Sequence, residues 1–149
     1  LRAGIIALAL PRSKIIWSTR DPADIGLSIW QILFTESLPW AYDLGEIGRY
    51  FRAHERLMQY WQKMFPERIF EANYERLVEN QETETRRLLN FCSLDFNPQC
   101  LRFHETERQI KTASAGQVRQ PVYNSSVGKW RKYAGYLTPL LESLKEPAA

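Results

Sequence analysis

Apolar and polar residues alternate along this chain with two periods, and their order predicts a mixed α/β fold. Residues 14–19 and 68–73 are short runs rich in β-prone residues, which is typical of buried strands. Helices are predicted where apolar residues recur three or four positions apart or follow a capping signal, over residues 4–10, 22–34, 44–65 and 82–92. Strands that alternate with helices favour a parallel sheet.

The longest predicted helix has the clearest amphipathic pattern. Its apolar face consists of Leu44, Ile47, Phe51, His54, Leu57, Met58 and Trp61. Residues 35–43 and 114–123 are predicted loops, since each contains proline and lacks an apolar period. The first loop carries Trp40 and either faces an acceptor or fills a hydrophobic gap. From Phe96 the chain is polar and irregular until a helical turn begins near Val127.

Composition limits the chain to one domain or part of one. It has 149 residues, of which 44% are hydrophobic, and a formal net charge of +3 from 20 basic and 17 acidic residues. This charge suits an anionic ligand without requiring nucleic acid. Two cysteines, Cys92 and Cys100, are too few for a disulfide framework, and they lack the neighbouring ligands of a zinc site. We therefore expect a reduced, cytoplasmic compartment and no metal. No apolar run approaches the roughly 20 residues of a membrane span.

The junction after the first predicted strand has the layout of a phosphate site. Asp21 and Pro22 are a helix cap and a first helical residue, so Arg20 lies where strand meets helix. Ser28 follows about two turns later, roughly 10 Å along the helix axis. A guanidinium and a hydroxyl on one side could both donate to one phosphate. The alternative is an ordinary cap, a surface arginine and an incidental serine.

Four motifs, in the order in which the family has them, resemble those of sulfotransferases that use 3′-phosphoadenylyl sulfate (PAPS). The likeness is closest to the tyrosylprotein sulfotransferases and their bacterial relatives, which are often fused to tetratricopeptide repeats. The motifs are Arg20-Asp-Pro-x-Asp-x-x-x-Ser28, Asn73-Tyr74-Glu75-Arg76-Leu77-Val78, Ser114-Ala-Gly-Gln117-Val118-Arg-Gln-Pro121-Val-Tyr123 and Ser126-Val-Gly-Lys129-Trp130-Arg-Lys-Tyr133. The resemblance covers nearly the whole chain. It implies a three-layer, P-loop-like parallel sheet flanked by helices.

The resemblance also implies roles for particular residues. Arg20 and Ser28 would hold the 3′-phosphate, and Tyr74 and Lys129 would bind the nucleotide. Ser114 would be both a cofactor residue and the catalytic candidate, because the matching serine stabilises charge on the bridging oxygen during transfer. The same segment, which closes over PAPS in the family, also supplies the cofactor-binding candidates Gln117, Val118, Pro121 and Tyr123. Without the family resemblance, the sequence is equally consistent with Tyr74 as a core residue. Segment 114–123 could then equally be an ordinary surface loop.

The chain departs from the family pattern in two respects. The 5′-phosphosulfate loop and its strand are missing, since Pro11-Arg12-Ser13-Lys14 is not followed by the loop sequence. We therefore expect residues 1–149 to be the C-terminal portion of a single domain, incomplete at its N-terminus and inactive alone. No catalytic base is assigned, because His54 and His104 occupy no family position. Ile32 stands where relatives place an arginine, a role that Arg119 could take.

The sequence thus predicts an enzyme that moves the sulfuryl group of PAPS, with adenosine 3′,5′-bisphosphate (PAP) as the other product, to a hydroxyl or phenol acceptor. The acceptor would be a small molecule or a peptide tyrosine, with no nucleic-acid or membrane partner, and an upstream tetratricopeptide domain is expected. One alternative is a non-catalytic basic module that binds nucleotides or nucleic acid through its many aromatic residues. Another is a degenerate relative that serves as a partner platform.

Overall fold

Two parallel strands, β1 (Ile15–Thr19) and β2 (Ile69–Asn73), form the sheet of the described residues. They pair in register from Ile15 with Ile69 to Thr19 with Asn73. The structure is a computed structural model and describes residues 2–34, 37–105 and 120–145. The mixed α/β fold and the parallel pairing are confirmed, while the three-layer arrangement stays a prediction.

Six α-helices surround this strand pair in the described parts of the chain. They are α1 (Ala3–Ala9), α2 (Pro22–Trp30), α3 (Leu44–Met64), α4 (Tyr74–Glu79), α5 (Gln81–Phe91) and α6 (Thr138–Lys145). Short 3₁₀ helices cover Pro39–Tyr42, Pro98–Glu105 and Lys129–Tyr136. None of the described helices is long and apolar enough to cross a membrane.

Side-chain caps explain where several helices begin. The Asp21 carboxylate accepts from the backbone N–H groups of Ala23 and Asp24, and Asp43 accepts from Glu46 in the same way. Asn73 and Asn80 cap α4 and α5. These side chains satisfy backbone donors that have no partner within the first turn of a helix.

Helix α2 ends earlier than its sequence pattern predicts. The prediction placed its end near residue 34, but the helix stops at Trp30. The Tyr42 hydroxyl lies 3.0 Å from Phe34 N and 3.2 Å from Phe34 O, so it takes up backbone groups that a longer helix would use itself. Tyr42 belongs to the Pro39–Tyr42 turn, which lies inside the predicted loop 35–43.

Two apolar clusters form the core of the described residues. Leu27, Ile47, Leu137 and Leu140 join α2, α3 and α6, and Ala3, Met58 and Ile69 join α1, α3 and β2. Helices α3 and α6 approach so closely that a Cβ atom on Gly48 would overlap the Ser143 hydroxyl.

Candidate nucleotide site

The candidate site is at the C-terminal ends of the two strands. Arg20 directly follows β1, and Tyr74 directly follows β2. The register places Thr19 opposite Asn73, so the next residue of each strand emerges at the same edge of the sheet. The Asp21 N–H also donates to Glu75 Oε1 at 2.8 Å, which ties the two junctions together. Ligands of open α/β proteins usually bind beyond this edge.

Arg20 and Tyr74 contact each other and the segment around residue 125. A terminal nitrogen of the Arg20 guanidinium donates to Ser126 O at 2.6 Å, and its central carbon is 4.8 Å from the centre of the Tyr74 ring. The Tyr74 hydroxyl donates to Tyr123 O at 3.3 Å. The buried Arg20 Nε has no hydrogen-bond partner among the described residues. This donor is therefore unsatisfied within the described residues.

The Tyr74 phenol stays neutral at physiological pH. Burial raises its pKa above the ordinary 10.0, and the Arg20 charge opposes that shift only in part. A neutral phenol keeps its hydrogen and can donate it. Tyr74 therefore serves both as an aromatic support under Arg20 and as a hydrogen-bond donor.

A buried carboxylate fixes the turn that leads into the 3₁₀ helix Lys129–Tyr136. Asp24, only 2% exposed, accepts from Gly128 N at 2.6 Å and from Trp130 N at 2.9 Å. The Trp130 indole N–H points to Asp21 Oδ2 at 3.3 Å, and its ring packs against the core. Gly128 has φ of 68°, a left-handed conformation that glycine adopts without strain.

Three residues of this assembly, Asp24, Ser126 and Gly128, have no role predicted from the sequence. Asp24 is part of the first motif, but its function there is visible only in the fold. The available signal was the position of Asp24 three residues after the cap Asp21, on an apolar helix face where a carboxylate requires partners. The partners themselves lie more than 100 residues away.

A cleft of about 820 Å³ opens beside Arg20. Six of the residues predicted for the site line it: Arg20, Ser28, Tyr74, Pro121, Tyr123 and Lys129. The structure thus brings together side chains from three distant stretches of sequence. Ser114, Gln117, Val118 and Arg119 lie outside the described residues. Ile32, noted as a departure from the family pattern, also lines the cleft.

The remaining wall of the cleft is mostly apolar. Leu77, Leu88, Phe103 and Val122 contribute hydrophobic surface, and Gln81 and Thr85 add polar side chains. Small-molecule sites commonly combine an apolar lining with a few polar groups that fix orientation, in volumes of about 300–1,000 Å³. The cleft therefore has the character of a site for a small ligand with a flat apolar part and a charged part.

A second, smaller groove of about 490 Å³ is also lined by Arg20 and has the opposite electrostatic character. Glu55, Glu71 and Glu75 line it, and the Thr19 hydroxyl donates to Glu71 Oε1 at 2.9 Å. Carboxylates disfavour a bound phosphate. The larger cleft is the better anion site.

Other sequence candidates lie elsewhere. Neither His54 nor His104 lines the larger cleft, so the histidine positions supply no base there within the described residues. Trp40 packs against the core and stacks on Tyr50 with ring centres 4.1 Å apart. Of the two alternatives for loop 35–43, these contacts favour the hydrophobic plug.

Comparison with known proteins defines the class. The model of the sulfotransferase family matches residues 1–98, and the chain belongs to this family. An uncharacterized protein of Aquifex aeolicus (strain VF5) is 41% identical over 146 residues, which are 96% of this chain. The chain spans 19% of the length of that relative. The tyrosylprotein or tetratricopeptide-linked subtype stays a prediction.

Proposed function

We propose that the larger cleft binds the nucleotide of PAPS and that the full-length protein transfers its sulfuryl group to a hydroxyl or phenol. One observation carries the proposal. The cations Arg20 and Lys129, the Ser28 hydroxyl and the Tyr74 phenol come from separate parts of the sequence and line one cleft. Residues 1–149 would be the C-terminal, nucleotide-binding portion of the sulfotransferase domain.

The residues present fit the 3′-phosphate end of PAPS. A guanidinium and an ammonium provide positive charge and hydrogen-bond donors, and a hydroxyl adds a neutral donor, which together suit a phosphate. The unpartnered Nε of Arg20 is a buried donor at this place, and a buried donor without an acceptor costs about 1–3 kcal/mol. A phosphate oxygen would remove that cost.

Each residue has a separate task in this proposal. Arg20 is already oriented by Ser126 O and by the Tyr74 ring, so little side-chain freedom is lost when it pairs with a phosphate. Ser28 and Lys129 are exposed at the cleft and add a neutral donor and a charge. Tyr74 supplies an aromatic edge for the nucleotide, while Pro121 and Tyr123 form the wall beside it.

The transfer step needs positioning and fixed positive charge more than covalent help from the protein. PAPS supplies an activated sulfuryl group whose leaving group is a phosphate. By analogy with phosphoryl transfer, fixed cations and donors stabilise the charge that develops on the leaving oxygens. We assign this role to Ser114, with Gln117 and Val118 in the segment that covers the nucleotide. This assignment rests on the family resemblance.

The acceptor would be a small hydroxylated compound or a peptide tyrosine, and the general base would come from another part of the protein. The free thiols of Cys92 and Cys100 suit a cytoplasmic protein. An upstream tetratricopeptide domain in the full-length protein is part of the same proposal.

Transfer of label from ³⁵S-PAPS tests the enzymatic proposal. The full-length protein is incubated with a panel of alcohols, phenols and tyrosine peptides, beside Arg20→Ala and Arg49→Ala variants. Arg49 is an exposed arginine of α3 that pairs with Glu46, away from the cleft, so its replacement removes the same charge elsewhere. We expect transfer by the wild type and Arg49→Ala, and a loss of at least about tenfold with Arg20→Ala. Absence of transfer to every acceptor class would refute the enzymatic proposal.

A further inference from the structure

We propose that Asp24 is a positioning residue for 3′-phosphate recognition, acting through the turn Ser126–Trp130. The inference rests on the proposed function and adds a residue that touches no ligand itself. Among the described residues, Asp24 is the only charged side chain that is buried. Burying a carboxylate costs free energy unless hydrogen bonds compensate the lost hydration. The hydrogen-bond partners of Asp24 therefore indicate its role.

Both oxygens of Asp24 are occupied by backbone donors of this turn. Oδ2 accepts from Gly128 N at 2.6 Å, and Oδ1 accepts from Trp130 N at 2.9 Å. These two donors flank Lys129 on either side in the sequence. The carboxylate thereby fixes the backbone of the residue that presents the ammonium group to the cleft.

The same turn also orients Arg20. Its guanidinium donates to Ser126 O, two residues before Gly128. Asp24 and Arg20 thus bind opposite ends of one short segment. Asp24 accepts hydrogen bonds from its C-terminal end, and Arg20 donates a hydrogen bond to its N-terminal end. Through this segment, one buried side chain holds both cations of the proposed phosphate site.

Occupation of these two N–H groups also determines how a phosphate can be held. Successive backbone N–H groups at a turn are themselves an anion site, but here an internal carboxylate already fills it. A phosphate in the cleft must therefore be bound by the side chains of Arg20, Ser28 and Lys129. Selectivity for a 3′-phosphate then depends on where Asp24 holds the turn.

The first test is Asp24→Asn in the full-length protein. Asparagine has the same shape but no charge, and its amide nitrogen cannot accept from a backbone N–H. PAP and adenosine monophosphate (AMP) are titrated by calorimetry, since AMP lacks the 3′-phosphate. We expect the preference for PAP over AMP to fall about tenfold, with AMP affinity nearly unchanged. Asp43→Asn is the matched control, because Asp43 caps α3 outside the cleft and should leave the preference intact.

A pair of variants at Gly128 decides the question if Asp24→Asn does not fold. Alanine is strained at φ of 68°, whereas asparagine tolerates this conformation. Gly128→Ala should displace the two N–H groups from Asp24 and reduce the preference for PAP severalfold. Gly128→Asn should preserve it.

The outcomes separate this inference from the proposed function. A wild-type protein that binds PAP no better than AMP refutes both. A wild-type preference that is lost in Arg20→Ala but retained in Asp24→Asn overturns the inference alone. Equal weakening of PAP and AMP by Asp24→Asn would also overturn it, because a purely structural residue would have that effect.

Discussion

At the scale of single residues, the Tyr74 side chain supports the Arg20 guanidinium through its ring and the wall of the cleft through its hydroxyl. The ring lies 4.8 Å from the guanidinium carbon, and the hydroxyl holds the neighbouring wall of the cleft through Tyr123 O. A hydrogen bond of this kind contributes about 0.5–1.5 kcal/mol and a cation–π contact about 0.5–1 kcal/mol.

The two contributions of Tyr74 can be separated by substitution. Tyr74→Phe keeps the ring and loses the hydroxyl, so we expect PAP binding to weaken by about threefold to tenfold. Tyr74→Leu loses both and should weaken binding further. Calorimetric titration of PAP measures both changes. A Tyr74→Leu variant that binds as tightly as Tyr74→Phe would contradict the role of the ring.

Residues that act through local structure could be predicted from the sequence. Arg20 was placed correctly at the strand end because the cap Asp21 and the following proline mark the helix start. The partners of Asp24 and Arg20 could not be predicted, since they lie 104 and 106 positions away and a side chain alone does not specify them. Motif spacing predicts the positions of the charged residues along the chain. The contacts that hold these side chains in place depend on the tertiary structure.

At the scale of helices, the close approach of α3 and α6 depends on Gly48. A Cβ atom there would overlap the buried Ser143 hydroxyl and lie 3.1 Å from Leu140 O. We expect Gly48→Ala to lower the free energy of unfolding by about 1–3 kcal/mol, as overpacking in a core usually does. Urea denaturation measures the loss. Gly135→Ala is the control, because its Cβ would meet nothing within 4 Å, and an equal loss there would contradict the packing argument.

Helix α3 also carries the histidine whose titration should affect stability. Burial lowers the pKa of His54 below its ordinary 6.5, beside the Trp17 ring at 6.4 Å. The unfolded chain therefore binds a proton more readily than the folded chain. Stability should be highest above pH 6.5 and fall as the pH decreases below that value.

Thermal or urea unfolding between pH 5 and 7.5 tests this expectation. His54→Gln should reduce the pH dependence, because glutamine does not titrate. A wild-type slope that survives His54→Gln unchanged would show that other groups cause it.

Helix type and order could be predicted from periodicity, whereas helix ends depended on distant groups. The end of α2 is the clearest case, because the Tyr42 hydroxyl takes the backbone groups of Phe34. The division between α4 and α5 was not predicted either. Asn80 ends α4 and caps α5, and only side-chain geometry reveals that division.

At the scale of the whole chain, the cleft lies between parts of the molecule that the sequence keeps far apart. Strand ends supply Arg20 and Tyr74, and the segment before the last helix supplies Tyr123 and Lys129. The parallel strands were predictable from their apolar runs. The position of the last segment over the strand ends follows from the contacts of Asp21 and Asp24, which no periodicity encodes.

Ligand binding to this folded arrangement should also stabilise it. A ligand that binds only the native state raises stability by RT ln(1 + [L]/Kd), which is about 2.7 kcal/mol at a hundredfold excess over Kd. PAP should therefore raise the midpoint of thermal unfolding, and Arg20→Ala should reduce that increase. An equal increase with AMP at the same ligand concentration would contradict a dedicated 3′-phosphate site.

Calorimetric titration of PAP and AMP into the wild type, Arg20→Ala and Arg49→Ala tests the central claim most directly. The account predicts that the wild type and Arg49→Ala bind PAP at least about tenfold more tightly than AMP, and that Arg20→Ala loses this preference. Equal affinity for the two nucleotides in the folded wild type, or an undiminished preference in Arg20→Ala, would contradict the assignment of this cleft to a 3′-phosphorylated nucleotide.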